Sequence, residues 1–194
     1  MQMRRVVWGV ALATAGTIGT AVPSVASAQL GLLLGAGGVV RGDVSSGFRY
    51  NGLGYNVLAG LVLDAPILPI ALRFEGQYTQ FSAPLSVWQD RIYSATVNGV
   101  YTLPTPLIRP YLVGGGGYYH ITARYFNPTA SPGSPNEIDA PATGIGLNGG
   151  LGVRTGFAGM GLFAEWRYHY IFAGGAQNPA GHTSYAPFTV GITL

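Results

Sequence analysis

The chain has 194 residues, room for one domain behind a removable leader. It is 48% hydrophobic and only 9% charged, with a net charge of +3, no cysteine and arginine as its sole strong base. The missing cysteine excludes disulfide scaffolds and thiolate metal sites, and a soluble domain would carry ~25% charged residues to wet its surface. Beyond the N-terminus no run reaches the ~18 apolar residues of a spanning helix. A surface meeting lipid would therefore belong to a closed β-barrel, which leaves no backbone group open in hydrocarbon.

In chain order, residues 1–28 read as a secretory signal peptide. Arg4 and Arg5 supply the positive start, Val6 to Val22 an uncharged apolar segment, and Ala26-Ser27-Ala28 a cleavage site that would leave Gln29 first. Without Arg4 and Arg5, eight arginines face seven acids, so the basic balance gives no reason to expect nucleic-acid binding.

From there the chain alternates at period two in segments of about ten residues, the pattern of transmembrane strands. Leu53, Tyr55, Val57, Ala59, Leu61 and Leu63 share one face, opposite Gly52, Gly54, Asn56 and Gly60. Leu72, Phe74, Gly76 and Tyr78 then oppose Arg73, Glu75, Gln77 and Thr79, and Tyr93 to Tyr101 repeat the pattern against Ser94, Thr96 and Asn98. Later, Ile145, Leu147, Leu151 and Val153 oppose Asn148, Gly150 and Arg154; Leu162, Ala164, Trp166, Tyr168 and Tyr170 oppose Glu165, Arg167 and His169. Ala186, Phe188, Val190, Ile192 and Leu194 oppose Thr189, Gly191 and Thr193. Two more segments, 31–41 and 110–123, are so rich in glycine that either face can point inward, with Gly114 to Gly117 fitting both registers. Counting them gives eight strands.

Connections Asp64–Pro69, Leu103–Arg109 and Gly156–Gly159 are short, whereas Arg41–Asn51, Phe81–Gln89, Arg124–Ala142 and Phe172–Ser184 are longer. Short periplasmic turns and longer extracellular loops are expected of an all-β, eight-stranded antiparallel up-and-down transmembrane barrel. Charge placement agrees. No charge falls within the assigned lipid-facing band, Arg91 being set just before its strand. Arg73, Glu75, Arg154, Glu165 and Arg167 point inward with His169, while Asp43, Arg49, Asp64, Asp90, Glu137 and Asp139 fall in loops or strand ends. A soluble barrel would have this arrangement inside out. The outward aromatics Tyr55, Tyr78, Tyr93, Tyr101, Trp166, Tyr168 and Tyr170 read as a headgroup-level girdle.

The stretch Asn98-Gly99-Val100-Tyr101, a proline-containing turn, and Arg109-Pro110-Tyr111-Leu112-Val113 running into Gly114–Gly117 resembles the middle of small OmpA/OmpX-like outer-membrane barrels. Phe163-Ala164-Glu165-Trp166-Arg167-Tyr168 resembles their penultimate strand; Leu194 stands where the family usually ends in Phe. The resemblance implies insertion by the barrel-assembly machinery and a place in the outer membrane among its lipids and lipopolysaccharide.

The inward set Arg73, Glu75, Arg154, Glu165, Arg167 and His169 is read as a polar network plugging a lumen barely wide enough for side chains. The expected role is structural or surface-exposed, with any extracellular partner met by the long loops, Arg124–Ala142 foremost. The alternatives are a narrow porin-like channel or carrier for small solutes and, further off, a lipid-A-modifying enzyme. His120 and Thr122 share a strand face without an evident acid to orient the ring, and His182 lies in a loop, so no catalytic site is assigned and no cofactor or metal is expected. Gly144 to Gly149 spells a dinucleotide-binding glycine pattern but lacks the following helix and is read as accidental.

Overall fold

Period-two alternation puts successive side chains on opposite faces of a pleated strand, and each segment that shows it forms one. The computed structural model describes residues 29–41, 53–64, 70–82, 88–126, 137–157, 160–173 and 181–194. The leader at 1–28 lies outside them. The strands are β1 (Gln29–Arg41), β2 (Leu53–Asp64), β3 (Ile70–Ser82), β4 (Trp88–Thr102), β5 (Arg109–Phe126), β6 (Glu137–Phe157), β7 (Met160–Ile171) and β8 (Thr183–Thr193). Each pairs antiparallel with its neighbours in sequence, and β1 pairs with β8, so the sheet closes into an up-and-down barrel of eight strands. An even number of strands brings the last alongside the first in antiparallel sense, which removes the free edge. The described residues contain no helix.

The outer wall is apolar and accessible, with Leu112, Ile145, Leu147, Leu151 and Phe188 all more than half exposed. Facing inward, Asn56, Arg73, Glu75, Asn98, Glu165 and Arg167 are buried. The glycine-rich strands take a single register. In β1, Leu33 and Val39 point inward and Leu32 and Leu34 outward; in β5, Tyr111, Val113, Tyr119 and Ile121 point inward and Leu112 and Tyr118 outward. A side chain at Gly115 would stand 2.1 Å from the Val97 carbonyl oxygen, whereas one at Gly114 would meet nothing nearer than 3.8 Å. Pro187 lacks an N–H, and the β7–β8 ladder is interrupted there, resuming at His169 opposite Tyr185.

Some boundaries differ from those read from sequence. Arg124 to Phe126 pair with Glu137 to Asp139, so the ladder continues into both ends of the connection Arg124–Ala142, of which 127–136 lie outside the described residues. The β6–β7 ladder ends at Gly146 opposite Ile171, so the β5–β6 hairpin rises beyond β7. Only five residues join Ser82 to Trp88, against ten or eleven in each other loop on that side, so this connection is not long. Arg91 lies inside β4 rather than before it, facing Gln80 on β3 and Thr122 on β5, and is half-buried. The charge-free band therefore ends one row beyond the tyrosines Tyr78 and Tyr93. Ala186, of outward parity, is buried.

Candidate functional site

The inward face is layered along the barrel axis. Nearest the short turns, Leu33, Leu58, Val62, Ala71, Val100, Val113 and Phe163 pack with the Tyr111 ring. Nearest the long loops, Val39, Phe81, Ile92, Tyr119, Ile121, Ile171, Ala173 and Tyr185 form a second apolar cluster. The ionic groups lie between them. Along β3 the inward order is Ala71, Arg73, Glu75, Gln77, Thr79, Phe81, and along β7 it is Phe163, Glu165, Arg167, His169, Ile171.

Arg73 and Glu75 on β3 face Glu165 and Arg167 on β7, and the four close a ring of alternating charge. Arg73 reaches Glu165 at 2.8 Å and Glu75 at 3.3 Å. Arg167 grips both oxygens of Glu75, at 2.5 and 3.0 Å, and donates to Glu165 at 2.5 Å. Their side chains are at most 4% exposed. Removing four charges from water costs several kcal/mol apiece, and their attraction offsets this only where the remaining lone pairs are also filled. Residues of β4 and β5 fill them: Asn98 donates to Glu75 at 2.6 Å and Tyr111 to Glu165 at 2.9 Å. Asn148 in turn donates to Asn98 at 2.8 Å. The Arg73 guanidinium also lies 5.1 Å from the Tyr111 ring centre and 5.7 Å from that of Phe163.

Of the six residues assigned to the lumen network, four form this ring. His169 stands one layer toward the loops, stacked on Tyr185 with ring centres 4.6 Å apart, its Nδ1 3.0 Å from the Tyr119 hydroxyl. Arg154 has inward parity but lies at the turn-side mouth, outside the ring, and forms no ion pair among the described residues. The ring thus carries equal numbers of positive and negative charges. Asp90, taken as a strand-end residue, is buried and bonded to Arg41. Its even position, in step with Ile92, Thr96 and Asn98, was the available signal. Tyr111 escaped sequence reading because the glycines after it hide the face it belongs to.

The outward aromatics form a ladder on one side. Tyr55, Tyr78 and Tyr93 follow one another at 6.1 and 5.0 Å, and the Tyr55 and Tyr78 hydroxyls both donate to Gln80. His120 lies beyond Tyr93, 3.4 Å from the Thr122 hydroxyl. Among the described residues no group of three or more His, Asp or Glu could hold a metal.

No family profile and no curated protein matches this chain in sequence. Solved structures do match it. Neisserial surface protein A superposes with a TM-score of 0.59 at 19% identity, covering 87% of this chain and 98% of that one. A major outer membrane protein from Thermus thermophilus superposes with a TM-score of 0.58 at 12% identity, over 85% and 98%. The chain therefore has the fold of the small eight-stranded outer-membrane barrels, the architecture that the resemblance implied.

Proposed function

We propose that this protein is an integral outer-membrane barrel, exported by a cleaved leader, with a structural or surface-presenting role and a lumen closed by its own side chains. The observation that carries the reading is the ring of Arg73, Glu75, Glu165 and Arg167, neutral as a whole and enclosed between two apolar layers. An ion path needs charged or carbonyl groups left available to the ion, whereas these are spent on one another. In this reading the short turns face the periplasm, the loops face outward, and the projecting β5–β6 hairpin presents the surface a partner would meet. Outer-membrane lipids and lipopolysaccharide bathe the apolar wall, and the barrel-assembly machinery inserts it. The reading assigns no catalysis. His120 faces Tyr93 and Thr143 across the ladders, and Thr122 faces Arg91 and Pro141, so no register neighbour supplies the carboxylate a histidine base requires.

Conductance of the refolded protein in a planar bilayer tests the closed lumen. A silent membrane is expected, and discrete openings would replace this reading with that of a narrow channel. Membrane insertion is tested separately by Trp166, which is outward and 40% exposed. Brominated acyl chains should quench its fluorescence in a Trp88→Phe background, and unquenched emission would remove the protein from the bilayer.

A further inference from the structure

The turn-side mouth holds a feature that neither the lumen ring nor the apolar wall explains. Arg109 opens β5 and Arg154 lies near the end of β6, and the β5–β6 register sets them directly opposite one another. Both have inward parity, Arg109 in step with buried Tyr111 and Val113, and Arg154 with buried Gly152 and Asn148. Both line one cavity of about 740 Å³ at the mouth, walled by β1, β2, β5, β6, β7 and β8. Gln29, Asp64, Thr155 and Thr193 supply other polar groups of this wall. Val62 belongs both to the wall and to the apolar layer beneath, so this cup borders that layer.

Like charges directly opposite on antiparallel strands repel. Elsewhere in this lumen buried arginines are matched by carboxylates, but among the described residues neither Arg109 nor Arg154 forms an ion pair. Asp64 is the acid of the cup wall, on β2 rather than on β5 or β6. Two arginines lining one cavity, with one acid to set against them, suit the several oxygens of a tetrahedral phosphoryl group better than a planar carboxylate. Each guanidinium fork can bond two oxygens of the same group.

We propose that the turn-side cup is a phosphate-binding site in which Arg109 and Arg154 grip one phosphoryl group. The group is either free phosphate or the headgroup of a phospholipid whose chains lie along the outer wall. The site is independent of whether the lumen conducts, because the apolar layer separates the cup from the ring.

The barrel, refolded in a maltoside detergent that carries no phosphate, would be titrated calorimetrically with inorganic phosphate at fixed ionic strength. In parallel, phosphatidylglycerol and phosphatidylcholine retained by the barrel would be compared by native mass spectrometry. Saturable uptake of inorganic phosphate identifies the free ion; selective retention of phosphatidylglycerol without it identifies the headgroup. Either affinity should fall about tenfold or more in Arg109→Gln and in Arg154→Gln, each of which removes one charge-assisted fork. Asp64→Asn removes the opposing charge and should tighten binding, a gain that a folding defect cannot imitate. Binding of neither probe would overturn the proposal, as would affinities unmoved by Arg154→Gln in a protein that still migrates as a folded barrel.

Discussion

At the scale of single residues, the ion ring and the glycines make opposite demands. The ring tolerates no single deletion. Glu165→Gln leaves Arg73 and Arg167 buried with one carboxylate between them, and breaking a buried pair in this way costs about 3–5 kcal/mol. The temperature at which the compact band converts to the unfolded one on an SDS gel should fall accordingly. Replacing all four members together by Met and Leu should cost less than the single change, since no charge is then stranded. Among the glycines the contrast lies between neighbours. Gly115→Ala pushes a methyl group into the Val97 carbonyl and should destabilise the barrel by about 1–3 kcal/mol, as overpacking does. Gly114→Ala, on the exposed outer wall, meets only an ordinary contact at 3.8 Å, and its band should convert within a degree or two of the parent's.

At the scale of strands, β2, β3, β4 and β7 were legible from sequence because each carries bulky apolar residues on one parity and polar ones on the other. β1 and β5 were not, since a glycine reports no face; only the packing of Leu33, Tyr111 and Tyr119 against other strands decides the matter. The same limit hid the composition of the site. Arg73 and Glu165 are 92 positions apart, and their meeting depends on the curvature of the closed wall rather than on any local pattern. Nor does Arg154 differ from Arg167 in parity; it differs in height along the barrel, which depends on where the turns fall. The upper β5–β6 hairpin read as a loop because proline, serine and asparagine dominate it, yet its ladder continues to Phe126 opposite Glu137. This part carries none of the ring. Deleting 124–139 and joining Ala123 to Ala140 through a two-residue turn should leave the heat-dependent mobility shift in place, and a lost shift would make the hairpin part of the barrel's foundation.

For the molecule as a whole, the distribution of charge predicts an unusual indifference to salt. Raising ionic strength from ~0.1 to ~1 M shortens the screening length from ~10 to ~3 Å and weakens exposed pairs. The pairs of the ion ring are at most 4% exposed, out of reach of the ions that do the screening. The barrel's unfolding temperature in detergent should therefore move little across that range, while phosphate bound at the open cup should be displaced.

The ring also bears on how the barrel is made. Its members sit on β3 and β7, strands that are not adjacent in the sheet. Until the wall curves fully round, each guanidinium has only the carboxylate two positions away on its own strand, and the pairs Arg73–Glu165 and Arg167–Glu75 are missing. In the proposed membrane reading, these charges keep their water until the cross-barrel pairs form, which requires the seam of β8 on β1 to close. In that reading, closure of the seam and drying of the centre are coupled. The ion ring acts as a latch whose engagement tells a finished barrel from an unfinished one.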